Sequence, residues 1–157
     1  MPLEIAFADM RWKRVSNLAK YIQQVHALSL TKPNALKLTA LLLANDADVK
    51  ALNRQWRGLS KSTNVLSFPA AAIKVPRGEP KHLGDVILSY ETCAKEAKAA
   101  GKTLRAHATH LVVHGLLHLA GHDHENDHDA TRMEAKEIRI LAKLGIANPY
   151  VLDKGHE

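Results

Sequence analysis

Apolar and polar residues alternate in some stretches of the chain and follow a helical period in others, and each pattern predicts an element. Short apolar or alternating runs predict strands over 3–8, 35–43, 65–68 and 84–88. Apolar residues spaced three and four apart predict helices over 11–27, 45–53, 89–100, 103–120 and 127–145. The stretch 69–82 contains three prolines and a glycine, and it predicts a long loop that is the best candidate for a mobile flap.

In the order β-α-β-α-β-β-α-α-α, these elements predict one α+β domain over residues 1–157, with a small mixed β-sheet packed against helices. The order and direction of the strands stay open. The second strand is expected to present one apolar face, formed by Leu36, Leu38, Ala40 and Leu42. Side chains suited to capping precede four of the helices: Asn45 or Asp46, Ser89, Thr103, and Asp127 or Asp129.

The amino-acid composition indicates the cellular compartment of this domain. The chain is 46% hydrophobic, but no stretch approaches the roughly 18 apolar residues of a membrane span, so no membrane partner is expected. The first residues include an acid where a secretory signal needs basic residues, and Cys93 is the only cysteine, which excludes an intrachain disulfide. We therefore expect a cytoplasmic protein in which Cys93 is a small buried residue rather than a nucleophile.

The net charge of +6 is unevenly distributed. Residues 1–106 hold 17 Lys and Arg against 8 Asp and Glu, whereas residues 107–157 hold 5 against 8. A basic body suits a polyanionic substrate such as RNA, but lysines that merely solubilise the surface explain the charge equally well. The seven aromatic residues include no clustered pair in the sequence, so no platform for stacking bases is expected.

Histidines are concentrated in one stretch, since seven of the ten lie between positions 107 and 128. His114 and His118 stand four apart in a predicted helix, so they share one face with Cβ atoms about 5–6 Å apart. Gly121 can take a positive φ and turn the chain back, which would bring in His124 as a third ligand. Three imidazoles around one zinc ion per chain leave a fourth position for water, as in catalytic rather than structural sites.

A flexible or adventitiously metal-binding histidine tract is the alternative. Apolar residues that need burial are interleaved with the histidines, however: Leu111, Val112, Val113, Leu116, Leu117 and Leu119. The spacing H-x-x-x-H-x-x-G-x-x-H is also that of metzincin peptidases, whose general base is a glutamate directly after the first histidine. Gly115 occupies that position and cannot move a proton, which argues against a peptidase. Glutamate at this position is not expected to create a good peptidase, because the surrounding cleft should still lack a peptide-aligning edge selected for that purpose.

Several blocks of the sequence together resemble one known family. The segment HGLLHLAGHDH at 114–124 resembles the signature of the YbeY family of bacterial metal-dependent endoribonucleases. LNRQWRG at 52–58 and STNVLSFP at 62–69 resemble another block of that family, and LGDVIL at 83–88 resembles one of its strands. Residues 133–145 are similar to its closing helix, so the resemblance spans about residues 50–150 in the family's order.

The resemblance implies a zincin-like metal helix and a single-strand-specific endoribonuclease that acts in 16S rRNA 3′-end maturation and ribosome quality control. It implies that His114, His118 and His124 bind zinc, that His114 is catalytic, and that Arg57 contacts phosphate. The implied partners are single-stranded RNA, ribosomal RNA, and the small ribosomal subunit or its proteins. Without the resemblance, Arg57 would be interpreted as a solvated loop residue.

Four further residues have no assigned role. His122 stands where the family usually has tyrosine and could compete as a ligand, and Asn64 stands where it often has aspartate. Asp85 could orient a ligand imidazole or serve as a structural turn residue. His110 lies one turn before His114 and could either hydrogen-bond in the site or simply pack. The general base, and the choice between water and the substrate's 2′-hydroxyl as nucleophile, also stay open.

Two other functions compete with the nuclease. A metallohydrolase of peptides or small molecules would use the same three histidines, but it would need Asp85 or Glu134 close to the metal as a base. A ribosome-associated factor would bind RNA and use zinc only for folding. Its apo form would unfold, because structural zinc sites contribute folding free energy directly.

Overall fold

The computed structural model describes residues 2–70, 81–122 and 126–150. Four strands form the sheet: β1 (Leu3–Phe7), β2 (Leu38–Ala44), β3 (Val65–Pro69) and β4 (His82–Ser89). Five α-helices surround it: α1 (Leu18–Ser29), α2 (Asp46–Arg57), α3 (Tyr90–Ala99), α4 (Leu104–Leu119) and α5 (Asp127–Ala142). The expected α+β fold with a mixed sheet is confirmed. Most of the predicted flap, residues 71–80, lies outside the described residues.

The strands are arranged in the order β1-β2-β4-β3. β1, β2 and β4 are parallel, and β3 pairs antiparallel with β4. Parallel strands need both faces covered, and helices from the two sides meet this need. One face packs against α1 and α4 through Leu41, Leu43, Val86 and Leu88. The other face packs against α2 through a smaller cluster of Ala44, Val49, Leu66 and Ile87.

The expected apolar face of the second strand is confirmed for Leu38, Ala40 and Leu42 and is wrong for Leu36. These three residues are only partly buried, whereas Thr39, Leu41, Leu43 and the last residue of β2, Ala44, are buried. Leu36 is 61% exposed and belongs to a short 3₁₀ helix, Asn34–Leu36, that precedes the strand. Because leucines occupy both faces of this strand, the pattern alone could not identify the side that meets the larger core.

The first predicted helix is two elements. A 3₁₀ helix, Met10–Arg14, is followed by a left-handed residue, Asn17 (φ 59°), and only then by α1. Trp12 is fully buried, and its indole N–H donates to the Ala44 carbonyl over 2.8 Å. This contact holds the first turn against the end of β2, so it cannot continue on the axis of α1.

Helix α2 extends further than expected and ends at Gly58, which takes φ 69°. Arg57 is therefore in the last turn of a helix and not in a loop. Asn45 caps α2, as one of the two expected candidates, by accepting from the Asp48 N–H. No helix among the described residues has the length and apolar content to cross a bilayer.

Candidate metal centre and its cleft

Helix α4 forms the wall of a cleft and presents a row of histidines. Thr103 caps the helix as expected, since its Oγ1 accepts from the Ala106 N–H over 3.1 Å. The apolar residues interleaved with the histidines are buried against the sheet and the neighbouring helices. The remaining face carries histidines three or four residues apart: His107, His110, His114 and His118.

Gly115 lies where α4 contacts β4. A Cβ atom at this position would meet Cγ1 of Val86 at 2.9 Å, closer than real Cβ contacts allow. The absence of a side chain therefore lets the helix approach the sheet closely. A glutamate at position 115 would enter β4, so this chain lacks both the base of a metzincin and the space for one.

His114 and His118 converge as the spacing predicts. Their Nε2 atoms are 3.1 Å apart and their ring planes are nearly perpendicular, at 79°. Two imidazoles that share a tetrahedral zinc ion at the usual bond lengths would have these atoms roughly 3.3 Å apart. The donor chemistry and spacing of this pair therefore fit a zinc ion.

The third ligand remains a prediction. Gly121 takes φ 102° just after α4, as expected for a residue that turns the chain back. His124 and its neighbours at 123 and 125 lie outside the described residues. The described ranges contain no group of three or more side chains suited to a metal.

Glu137 of α5 is a site residue that the sequence reasoning missed. It is fully buried and its Oε2 accepts from Nδ1 of His114 over 2.9 Å, while its Oε1 accepts from Nε2 of His110 over 2.8 Å. The Tyr150 hydroxyl also donates to Oε1. A carboxylate only accepts, so Nδ1 of His114 carries the proton of this hydrogen bond, and Nε2 is the ring nitrogen that faces His118.

The carboxyl group of Glu137 stays ionised. Burial would raise its pKa, but the hydrogen bonds from His110, His114 and Tyr150 outweigh burial and hold it at about 2. Burial and the nearby carboxylate raise the pKa of Tyr150. The sequence did carry a signal for this residue, because Glu137 is an acid on the apolar face of α5 formed by Met133, Ile140 and Leu141.

Arg57 lies on the opposite wall of the cleft. Its Nη2 donates to the Ser67 carbonyl over 3.3 Å, and its guanidinium carbon lies 5.4 Å from the centre of the Phe68 ring. Arg57 and the two histidines line one cavity of about 530 Å³. The other described residues that line it are Asn64, Val65, Ser67, Pro69, Gly115 and Leu119.

A sheet edge borders the cleft, while the expectation that no edge here is selected to align a peptide stays a prediction. In the described part of the chain, β3 is the outer strand next to β4, and alternate residues of β3 line the cleft. The Ser67 carbonyl on this strand accepts from Arg57, so a peptide strand would have to compete for it. Neither Asp85 nor Glu134 is among the described lining residues, so the base that a peptidase would need is not found there.

The structure also places the residues whose roles stayed open. His110 hydrogen-bonds in the site through Glu137. Asp85 shares a sheet face with Ile87, on the α2 side, whereas Val86 faces α4. The carboxylate that orients the His114 imidazole is therefore that of Glu137 and not that of Asp85. His122 accepts from the Lys136 ammonium over 3.2 Å, and burial together with the charges of Lys136 and Arg132 lowers its pKa.

Asn64 lies at the end of the cleft and is held by Glu96 of α3. Its Nδ2 donates to Oε1 of Glu96 over 3.0 Å, and the same oxygen accepts from Nε2 of His107 over 2.8 Å. An aspartate at position 64 would place a second negative charge against Glu96. The uncharged asparagine therefore avoids repulsion with Glu96, at a position where the resemblance suggests aspartate.

Comparisons with known proteins agree with this architecture. The family model described as Endoribonuclease YbeY matches residues 5–145. A protein named Endoribonuclease YbeY from Erythrobacter litoralis is 57% identical over 71% of this chain and 73% of its own length. Another of that name from Ruegeria pomeroyi is 41% identical over 98% of this chain and 100% of its own length. The solution structure of TM1509 from Thermotoga maritima shares the fold, with a TM-score of 0.61 at 23% identity over 90% of this chain and 88% of that one.

Proposed function

Because this chain belongs to the Endoribonuclease YbeY family, we propose that it is a zinc-dependent endoribonuclease that cuts single-stranded RNA in the cleft between α4 and β3. One observation carries the proposal. The Nε2 atoms of His114 and His118 converge to 3.1 Å on one wall of a cavity whose other wall carries Arg57. The side chains that would hold a cation and the side chain that would bind phosphate thus face the same space.

In this proposal His114, His118 and His124 hold one zinc ion per chain. When bound, zinc would supply positive charge for a phosphodiester oxygen and lower the pKa of a coordinated water. Glu137 keeps the proton of His114 on Nδ1, which fixes the orientation of the ring and leaves Nε2 as the atom that would bind the metal.

Arg57 offers a planar pair of N–H donors to the phosphate. A guanidinium in this position can bind two phosphate oxygens and stabilise the charge that develops on phosphorus during cleavage. RNA carries its own nucleophile in the 2′-hydroxyl, so phosphodiester cleavage tolerates the missing glutamate at position 115 better than peptide hydrolysis does.

Family membership and charge support a finer proposal about the substrate and the process. We propose that the substrate is ribosomal RNA, that the reaction serves 16S rRNA 3′-end maturation and ribosome quality control, and that it takes place in the cytoplasm. The small ribosomal subunit or its proteins would present the substrate. The net charge of +6 supports a polyanionic partner of this kind.

The test is a paired assay of RNA and protein cleavage. End-labelled single-stranded RNA, the matching duplex and casein are incubated with zinc-loaded, chelated and zinc-restored protein. We expect cleavage of the single strand alone, its loss on chelation and its return with zinc. Circular dichroism of the chelated protein should show a folded domain, which excludes a purely structural zinc. Casein hydrolysis with intact RNA would overturn the proposal.

A further inference from the structure

One large aromatic side chain is exposed beside the cleft. Trp56 is 65% exposed and directly precedes Arg57 in the last turn of α2. It lies four residues beyond Leu52, so it continues the apolar side of the helix past the edge of the sheet. An exposed indole at the end of an apolar stripe has much of its surface available to a partner.

Trp56 is joined to the cleft through Phe68 of β3. The two ring centres are 6.3 Å apart, and the guanidinium of Arg57 lies over the same Phe68 ring. Ser67 and Pro69, on either side of Phe68, line the cleft, so the Phe68 ring lies on the other face of β3, and Arg57 is the residue that both contacts this ring and lines the cleft. Trp56, Phe68 and Arg57 therefore form a continuous aromatic and cationic group, which we call the aromatic rim.

The sequence predicts no stacking platform because it shows no clustered aromatic pair, and the aromatic rim supplies such a pair in space. Trp56 and Phe68 are twelve positions apart in the sequence, and only the packing of α2 against the outer strand brings them together. A planar aromatic group next to a phosphate-binding cation is the combination by which proteins bind single-stranded nucleic acid without reading its sequence.

We propose that Trp56 stacks on the base of a nucleotide adjacent to the phosphate that Arg57 holds. This inference rests on the proposed nuclease function and adds a substrate-positioning residue to it. Every base has a π face, so the contact tolerates any sequence. It also favours single strands, because the bases of a duplex are already stacked on one another. A stacking contact of this kind changes affinity by about 5- to 100-fold.

A docking site for a protein is the competing use of an exposed tryptophan. The position of Arg57 favours RNA, since its cation lies over the Phe68 ring that Trp56 contacts, also lines the cleft, and would oppose a purely apolar partner. The two uses differ in one measurable respect. Only stacking makes binding depend on the presence of a base at one particular nucleotide.

The experiment measures binding with chelator present, so that no strand is cut and the result is independent of zinc-dependent cleavage. The probes are single-stranded RNA decamers with a fluorescent end label, one intact and others with an abasic site at successive positions, and the anisotropy of the label gives the affinity of the wild type and of every variant. The chain has two tryptophans, and Trp12 is buried, so quenching of the emission by RNA reports on Trp56. Trp56→Phe keeps an aromatic ring, Trp56→Leu removes it, and Leu36→Ala removes an apolar side chain of similar exposure that does not line the cleft.

We expect the intact strand to quench the wild-type emission, and an abasic site at one position to weaken binding by 5- to 100-fold. Trp56→Leu should bind the intact strand as weakly as the wild type binds that abasic strand, and should not distinguish the two. Trp56→Phe should keep most of the discrimination, and Leu36→Ala all of it. Buried Trp12 emission verifies that each variant is folded.

Two results would overturn the inference. One is that Trp56→Leu binds the intact strand within twofold of the wild type. The other is that Trp56→Leu still loses affinity at the same abasic position. In either case, zinc-dependent RNA cleavage by the wild type would leave the proposed function standing, so the two failures are distinguishable.

Discussion

On the α4 wall of the cleft, His114 donates to a carboxylate that is fully buried and that also accepts from His110 and Tyr150. On the β3 wall, Arg57 extends from the end of a helix and makes one exposed hydrogen bond to a strand carbonyl. The first wall is fixed by a buried network before any ligand arrives. The second can adjust its side chain to the ligand.

This difference suits the two ligands that we propose. A metal ion needs donor atoms placed to within a few tenths of an ångström, and buried hydrogen bonds hold them. A flexible polynucleotide brings phosphates at variable positions, and a long side chain on the rim can follow them. The comparison therefore predicts that substitutions on the α4 wall change metal binding. Substitutions on the β3 wall should change turnover while the metal is retained.

The largest effect is expected from His118→Ala, because it removes one of the two converging donors. Zinc stoichiometry should fall well below one per chain, and RNA cleavage should become undetectable. Elemental analysis and an end-labelled RNA assay measure the two effects. His128→Ala is the matched control, since that imidazole is exposed on α5 and contacts Arg132. Zinc retained at full stoichiometry in both His118→Ala and His114→Ala would refute the assigned site.

The next effect is that of Arg57→Ala. We expect kcat to fall by about 10²- to 10³-fold, since one donor to the developing charge is lost. Zinc content should be unchanged, because a guanidinium is not a zinc ligand. Arg54→Ala, one turn earlier on the same helix, controls for the loss of one positive charge. Loss of zinc from Arg57→Ala would show that the two walls are not independent.

A smaller effect is expected from Glu137→Gln, which keeps the shape of the side chain but removes its charge. Zinc affinity should fall by about 10- to 100-fold, since His114 loses the carboxylate that orients it. Glu96→Gln is the control, because Glu96 accepts from another histidine of the same helix, His107. Competition with a fluorescent chelator gives both affinities, and equal values for Glu137→Gln and wild type would contradict the role of the buried carboxylate.

The smallest effect concerns Asp46, which anchors the first turn of α2, the helix that carries Arg57. Oδ1 of Asp46 accepts hydroxyl hydrogen bonds from Ser62 over 3.1 Å, from Thr92 over 2.7 Å and from Ser89. Burial would raise the pKa of Asp46, but the hydrogen bonds from Ser89, Thr92 and Ser62 together lower it. These hydrogen bonds therefore stabilise the folded state fully above the pKa of an unfolded aspartate, about 4. Their contribution is lost as the pH falls through the lower pKa of Asp46 in the folded protein.

Asp46→Asn should lower the free energy of unfolding by about 1–2 kcal/mol at pH 7, and the difference from wild type should shrink below pH 4. Urea unfolding at several pH values measures it. Asp48→Asn is matched for its place in the first turn of the same helix. If Asp46→Asn and Asp48→Asn have the same pH dependence, the hydroxyl hydrogen bonds do not explain the anchor.

The residues that the sequence predicted well are those whose partners are local. Thr103 and Asn45 cap their helices through N–H groups three residues away, and Gly121 needs only its own φ. The approach of His114 to His118 follows from one turn of helix. Each of these contacts is settled by spacing along the chain, so periodicity was sufficient to predict it.

The residues that the sequence-based prediction missed depend on contacts between elements that are far apart in the chain. Glu137 reaches His114 across 23 positions, and the pairing of Trp56 with Phe68 requires α2 to lie beside the outer strand. The order of the strands, on which that pairing depends, could not be derived from apolar periodicity. The break at Asn17 was missed because Trp12 satisfies a helical pattern while its indole is bound to the end of β2.

The contact between Gly115 and Val86 also bears on how this chain could change by mutation. A glutamate at position 115 would give the helix the sequence of a metzincin, but its Cβ would meet the valine methyl at 2.9 Å. A smaller residue at position 86 would have to come first, and it would leave a cavity in the core for as long as the glycine remained. Two substitutions, the first costly on its own, therefore separate this histidine helix from the metzincin motif, and the packing of the Val86 methyl groups makes that change hard to reach in single steps.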